Sequence, residues 1–385
     1  MSNLSKMGSF SLLAIACLTI MVGCVIVPGL PVIAEQLGMG QTAGLLVTIP
    51  ALGVVVFGPL AGKLIDRIGL YKSLCLGLLL YGVLGAGGVM LHGTAWVLAD
   101  RLLLGGATAL VMAGGTGLIS VFYHDKARLR MIANQGMAIE LGGVIFLFLG
   151  GLLAMIGWQW PFLLYLVSWL MLALLLVFIP DRDDPPARHK ATATKEPVPA
   201  ALKRVFASAT LSMLAFFTAI IVLPSRLHEL ALNEAQTGYF LSFVSLVAVG
   251  AAALMPRFVT RLSEHATLVI AFTCYALAHA LFALAPGLAL ILLGGIFMGA
   301  GFGLSVPLVN HMTIEQSHAH ARGRNLAYLS MAIFSGQFLC SAVELMPFGH
   351  FWIFAASMII AGASALWVHQ GHKAQRLDLA RDKGQ

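Results

Sequence analysis

The chain has 385 residues, of which 59% are hydrophobic and only 10% are charged, and its mean hydropathy is +0.91. A soluble protein of this length needs far more charge to cover its surface, so these values exclude an ordinary soluble enzyme or binding domain. The formal net charge of +7 would by itself allow a nucleic-acid-binding protein, but the positions of the charges along the chain argue against one.

Twelve long apolar runs follow one another along the chain. Runs of about 18 residues or more are typical of transmembrane helices, because a spanning segment has to close its backbone hydrogen bonds within itself. The runs cover about residues 10–30, 43–62, 73–92, 95–120, 132–156, 161–179, 205–224, 236–256, 266–285, 288–311, 326–346 and 349–369. The sequence therefore predicts an all-α integral membrane protein with twelve transmembrane helices.

The positive charges are distributed unevenly over the loops. If the N-terminus is cytoplasmic, all but two of the 23 Lys and Arg residues fall in cytoplasmic loops or tails. The exceptions are Arg101, within helix 4, and Arg226, in an outer loop. This distribution follows the positive-inside rule and predicts that both termini are cytoplasmic. It also accounts for the net charge without a nucleic-acid partner.

A charged segment, residues 62–72, separates helices 2 and 3 and is expected to be a short loop. Gly62 is expected to let helices approach closely, and Gly69 to allow a tight turn. Asp66 is expected to accept hydrogen bonds from the amides of a helix N-terminus, where the helix dipole favours an anion. Arg67 contributes at least to the orientation in the membrane.

Charged residues within the predicted helices are costly in a bilayer, which makes them candidates for function. Asp100 and Arg101 of helix 4 are neighbours, so their side chains point about 100° apart, and we expect each to pair across helices. Structural alternatives are a cap at the helix start for Asp100 and, for Arg101, extension towards water at the membrane surface.

Two acids complete the set of charged candidates. Glu140 lies near the middle of helix 5, roughly 12 Å from its start. A proton carrier needs an acid that takes up and releases a proton as access to the two sides alternates, and Glu140 fits this role; the alternative is a neutral glutamic acid bonded to a neighbouring helix. Glu344, near the outer end of helix 11, is more easily hydrated.

A polar, proline-rich segment divides the chain into two halves. We predict an N-terminal six-helix half at 1–180, a cytoplasmic linker at 181–204, a C-terminal six-helix half at 205–370 and a cytoplasmic tail at 371–385. When the sequence is shifted by 194 positions, the two halves align. Arg128 then falls on Arg322, Arg130 on Arg324, Gly105 on Gly299 and Gly142 on Gly336. Two parallel six-helix repeats are typical of one class of secondary transporters.

The pattern of the segment 62–72 resembles the loop between helices 2 and 3 of the major facilitator superfamily. A glycine is followed after three residues by Asp-Arg and, after one more, by a second glycine. In that family the loop acts as a conformational lock, which implies this role for Gly62, Asp66, Arg67 and Gly69. The basic pair that the family has after the second glycine is Leu70-Tyr71 here.

Three further stretches resemble the drug:proton antiporter branch of this family. They are the exit of helix 1 at Val27–Ala34, the start of helix 4 with Arg101, and helix 5 with Gly142, Gly150 and Gly151. The resemblance implies a cavity role for the arginine and marks the three glycines as an antiporter motif. The Gly-Pro centre of that motif is replaced here by Phe146-Leu147.

No catalytic or metal-binding pattern is present in the sequence. The five cysteines are odd in number and form no C-x-x-C pair, which argues for small core residues. His279, His311, His318 and His320 have no cysteine or carboxylate cluster to complete a metal site. We expect no metal, no cofactor and no enzymatic activity.

The sequence thus predicts a proton-coupled secondary transporter of the bacterial inner membrane, acting as a monomer and exporting a small organic molecule by alternating access. Arg101, together with the absence of an acid in helix 1, favours an anionic, zwitterionic or neutral substrate. Alternatives are export of a self-made metabolite such as a siderophore or metallophore, a passive facilitator and, as another class, a non-transporting membrane sensor.

Overall fold

The computed structural model describes residues 4–181, 197–318, 321–344 and 349–382, and all regular secondary structure in these ranges is helical. Twelve helices among them are long and apolar enough to span a membrane. They are α1 Lys6–Cys24, α2 Leu45–Ile68, α3 Leu70–Gly87, α4 Thr94–Phe122, α5 Asp125–Ile156, α6 Trp160–Phe178, α7 Ala200–Glu229, α8 Glu234–Leu262, α9 Glu264–Leu284, α10 Leu288–Glu315, α11 Arg322–Glu344 and α12 His350–Asp382. The predicted all-α membrane fold is confirmed.

Several helix ends differ from the predicted ones. Helix α1 ends at Cys24, and the predicted end of helix 1 falls instead at the start of a separate short helix, Leu30–Gln36. The break is explained by Pro28, which has no N–H to continue the helical ladder. Helix α12 continues to Asp382, into the predicted tail. Hydropathy marks only the part of a helix that lies in hydrocarbon, and polar turns can extend beyond it.

The charged segment between α2 and α3 is almost entirely helical, which corrects the prediction of a loop over residues 62–72. Helix α2 continues through Ile68, α3 begins at Leu70, and Gly69 alone separates them. The φ angle of Gly69 is +87°, in a region that L-residues rarely occupy and glycine adopts freely. Gly69 therefore forms the whole turn between two spanning helices.

The sequence repeat corresponds to a repeat in helix packing. A Cβ atom placed on Gly105 of α4 would overlap the carbonyl oxygen of Pro50 on α2. A Cβ atom placed on Gly299 of α10 would overlap the carbonyl oxygen of Val244 on α8. Both pairs are related by the offset of 194 positions, so each half uses a glycine at the same place to bring its second and fourth helices into backbone contact.

The chain forms two compact units. One contains residues from Met1–Lys195 together with Leu223–Ser242, and the other contains residues from Glu196–Val222 together with Phe243–Gln385. The boundary in α7 falls between Val222 and Leu223, next to Pro224, so the last turns of α7 and the start of α8 belong to the first unit. Of the predicted linker, residues 182–196 lie outside the described residues, and α7 already begins at Ala200.

Candidate functional site

The charged residues of α4 pair with each other. Arg101 and Asp100 are 1% and 8% exposed, and Nη2 of the arginine lies 3.0 Å from Oδ2 of the aspartate. The Nε atom donates to the same oxygen over 3.2 Å. Adjacent positions on a helix point about 100° apart, but the long arginine side chain curves back and bridges that angle, so the acid of Asp100 pairs within its own helix while Arg101 also reaches other helices. The pair has no net charge, which reduces the cost of burying it.

The remaining contacts of Arg101 join four helices of the first half. Nη1 lies 3.4 Å from the hydroxyl oxygen of Tyr165, near the start of α6, and Nη2 lies 3.4 Å from the carbonyl oxygen of Gly85 on α3. Tyr165 in turn donates to the carbonyl oxygen of Val22 on α1 over 2.9 Å. The guanidinium carbon also lies 5.4 Å from the ring centroid of Phe162, within the range of a cation–π contact. In this structure the arginine is enclosed by protein groups.

Glu140 has a different environment from the pair on α4. Its side chain is half-buried within α5, and its carboxyl group forms no hydrogen bond or ion pair with any described residue. A carboxyl group inside a membrane-spanning helix and without such a partner is costly to keep ionised.

The three glycines of the predicted antiporter motif bring α5 into contact with two different segments of the chain. A Cβ atom on Gly142 would lie 2.9 Å from Cβ of Cys17 on α1, and one on Gly150 would overlap the carbonyl oxygen of Val25, just after α1. A Cβ atom on Gly151 would instead lie 2.8 Å from Cα of Gly238 on α8. Any side chain at these positions would push a neighbouring segment away.

The surface of α8 that contacts α5 was not identified from the sequence. Besides Gly238, it includes Tyr239, whose ring stacks on that of Phe148 with centroids 5.3 Å apart. It also includes Ser242, which donates to the carbonyl oxygen of Val144 over 3.0 Å. The glycine in an apolar helix is a signal that could have suggested close packing, but sequence alone does not indicate which helix is the partner.

The residues of the predicted lock lie at the end of α2 with few contacts. A Cβ atom on Gly62 would have no heavy atom within 4 Å, so the predicted close approach is absent there. Asp66 and Arg67 are exposed. Asp66 accepts no hydrogen bond from any described residue, and no side chain caps the N-terminus of α3, so the predicted capping role is not observed. The reason is that the helix continues past the apolar run, which leaves these residues on its exposed last turns.

Glu344 is the remaining charged candidate, and from the sequence His279 is considered only as a metal ligand and rejected. Glu344 is the last residue of α11, and its side chain lies outside the described part of the structure, so its role stays a prediction. His279 is fully buried among aromatic side chains. Among the described residues there is no group of three or more His, Cys, Asp or Glu side chains able to hold a metal ion.

The second half contains a buried polar cluster that the sequence did not reveal. The hydroxyl oxygen of Ser212 on α7 lies 2.6 Å from that of Ser305 on α10 and 3.0 Å from that of Tyr275 on α9. Tyr275 and Ser305 are also 3.0 Å apart. All three side chains are inaccessible to solvent. Serine and tyrosine are common in membrane helices, so only their convergence identifies the cluster.

Comparison with known proteins gives a consistent result. A sequence model of the Major Facilitator Superfamily matches residues 12–341, and a second match covers residues 205–382. Over 144 residues the chain is 31% identical to the quinolone resistance protein NorA of Staphylococcus aureus, and this match spans only 36% of either protein. Over 361 residues it is 23% identical to the multi-drug resistance efflux pump PmrA of Streptococcus pneumoniae, covering 89% of this chain and 90% of the pump.

Solved structures share the fold at low sequence identity. A D-xylose–proton symporter superposes with a TM-score of 0.74 at 17% identity, covering 94% of this chain and 97% of the symporter. A bacterial homolog of the human lysosomal transporter Spinster superposes with a TM-score of 0.76 at 13% identity, covering 95% and 96% of the two chains. At these identities the likeness demonstrates the fold alone.

Proposed function

The chain belongs to the Major Facilitator Superfamily, and on that premise we propose that it is a proton-coupled exporter of small organic molecules. The family and its solved relatives are membrane transporters, so the protein is a transporter and not an enzyme. The similarity to NorA and PmrA supports export as the direction of transport and drugs as the class of substrate. Both relatives are bacterial, which supports a place in the bacterial inner membrane. The distribution of Lys and Arg supports cytoplasmic termini, and we propose that one chain is the working unit.

The observation that carries the proposal is the unpaired carboxyl group of Glu140. It lies within a spanning helix, is half-buried and has no bonding partner among the described residues. In an alternating-access cycle such a group binds a proton on one side of the membrane and releases it on the other. Substrate binding and proton binding at one carboxylate exclude each other, and this competition couples the two fluxes.

The charges of the first half also bear on the class of substrate. Arg101 is neutralised by Asp100 and enclosed by aromatic rings, so it gives no support to the anionic substrate favoured by the sequence. Glu140 is an acid without a described partner in the same half. We therefore assign the protein organic cations and neutral or zwitterionic molecules as substrates, and Glu140 as the acid that competes for them.

The proposal is tested in proteoliposomes with an imposed pH gradient. Fluorescent ethidium, a cation, and norfloxacin, a zwitterionic quinolone, serve as probes. We expect gradient-driven transport by the natural protein, and loss of its dependence on the gradient in Glu140→Gln, whose amide cannot exchange a proton. Glu35→Gln, which alters an exposed acid on the short helix after α1, is the matched control and should retain the dependence.

Three results would contradict the proposal. Unchanged coupling in Glu140→Gln would remove that residue from the mechanism. Transport of both probes at the same rate with and without the gradient would identify a passive facilitator. Failure of the natural protein to move either probe would exclude these substrate classes and favour the export of a dedicated metabolite.

A further inference from the structure

Each half of the molecule ties its first helix to its third through a buried tyrosine. In the first half, Tyr81 of α3 donates to the carbonyl oxygen of Leu18 on α1 over 2.7 Å. The offset of 194 positions places Tyr275 of α9 and Ser212 of α7 at the same two points of the second half, and their hydroxyl oxygens are 3.0 Å apart. This tyrosine link is therefore common to the two halves.

A second link lies about one turn further along the first helix of each half, and it is made differently. In the first half, Tyr165 of the α6 region donates to the carbonyl oxygen of Val22 over 2.9 Å. In the second half, Nε2 of His279 on α9 lies 2.9 Å from the carbonyl oxygen of Ala215 on α7. His279 stands at the repeat position of Gly85. It thus replaces a tyrosine from another helix as the source of the second link.

The hydrogen bond of His279 defines which nitrogen of its imidazole ring carries a proton. Because a carbonyl oxygen only accepts hydrogen bonds, Nε2 of His279 carries the proton and donates it to Ala215. The other ring nitrogen, Nδ1, is buried and has no partner among the described residues. A second proton there would leave an unpaired charge beside the rings of Phe282 and Phe354, whose centroids are 6.3 and 5.9 Å away. The ring is therefore neutral, and its hydrogen bond is directed to α7.

The two links lie shortly before the point where α7 passes from one compact unit to the other. Ser212 and Ala215 are on the part of α7 that belongs to the second unit, which ends at Val222. Pro224 follows within the helix, and it has no N–H to donate to the carbonyl of Ile220. A proline inside a helix is a common cause of a kink. The links therefore hold the segment that precedes a natural bending point.

We propose that His279 is a positioning residue that, together with Tyr275, anchors the first part of α7 to α9, the helix that carries both residues. The anchor holds the segment from Ala200 to Val222 against α9, and bending of α7 during transport is confined to the region of Pro224. The role requires a neutral donor at the position of Nε2, and it requires no charge on the ring. It is independent of the substrate and of Glu140.

The test uses hydrogen–deuterium exchange of the full-length protein in lipid nanodiscs, read by mass spectrometry. His279→Leu keeps much of the bulk of the ring but removes the donor, and we expect exchange of the amides in residues 213–222 to rise about three- to tenfold, the effect of one hydrogen bond. In His279→Gln, the side-chain amide nitrogen reaches the same place as Nε2, so exchange should return to that of the natural protein.

A matched control and the contrary outcomes complete the experiment. Leu277→Ala alters an exposed side chain on the same helix and should leave exchange in α7 unchanged. If His279→Gln exchanged as fast as His279→Leu, the bond to Ala215 would not be the role of the residue. If His279→Leu raised exchange equally in α7, α9, α10 and α12, the histidine would be a general core residue, and the proposal would be overturned.

Discussion

In the first half of the protein, large polar side chains on the fourth helix fill the space left by a glycine at the end of the third, whereas in the second half this arrangement is reversed. Asp100 and Arg101 of α4 pack over Gly88, the residue after the end of α3, and the space over Gly85 is filled by the ring of Tyr165. At the repeat positions, α10 has Gly294 and Gly295, and α9 has His279 and Phe282. A Cβ atom on Gly294 would contact the ring of Phe282.

This reversal indicates that the repeat preserves the fit between the two helices rather than the identity of the residues. Close-packed interiors tolerate an exchange of volume between facing positions, provided that the total is kept. The polar partners that each half needs follow from which helix carries the large side chains. A buried guanidinium needs a carboxylate and several acceptors, which Asp100, Gly85 and Tyr165 supply. A neutral imidazole has a single N–H to donate, and Ala215 accepts it.

The largest effect is expected from breaking the charged pair of the first half. Arg101→Leu leaves Asp100 buried without a partner, which should lower the free energy of unfolding by about 3 to 5 kcal/mol. Unfolding by titration with a denaturing detergent in mixed micelles measures it. The double variant Arg101→Leu, Asp100→Leu removes both charges and should recover most of the loss. A double variant no more stable than the single one would show that shape, and not charge, dominates this cluster.

A smaller effect is expected from filling the space beneath the guanidinium. A Cβ atom on Gly88 would overlap Nη2 of Arg101, while one on the adjacent Gly87 would have no heavy atom within 4 Å. We expect Gly88→Ala to lower the free energy of unfolding by about 1 to 3 kcal/mol through overpacking. Gly87→Ala is the matched control and should be neutral or stabilising by up to about 1 kcal/mol. Equal effects in the same assay would contradict the tight fit around Arg101.

The smallest effect is expected at the tyrosine link that the two halves share. Tyr81→Phe removes the hydrogen bond to Leu18 and should cost about 1 kcal/mol. Tyr275→Phe should cost less, because the hydroxyl groups of Ser212 and Ser305 remain bonded to each other over 2.6 Å. The two variants are compared by the same unfolding titration. A larger cost for Tyr275→Phe would show that the serine pair depends on the tyrosine.

Helix number and repeat were predictable because they depend on local composition. A run of apolar residues long enough to cross the bilayer forms a helix whatever its neighbours are, and the offset of 194 positions is visible in the sequence itself. Helix ends were less predictable. The polar turns that carry Asp66 and Arg67 belong to α2, but hydropathy does not distinguish a polar helical turn from a loop.

From the residues alone it follows that this is a membrane transporter of twelve helices in two related halves, and that Asp100, Arg101 and Glu140 lie within its membrane-spanning part. The three-dimensional packing was needed to show that the first two neutralise each other, that Glu140 has no partner among the described residues, and that His279 bonds to α7. Side-chain pairing depends on which helices approach each other and at what height. These are properties of packing between segments far apart in the chain, and the periodicity of a single segment contains no record of them.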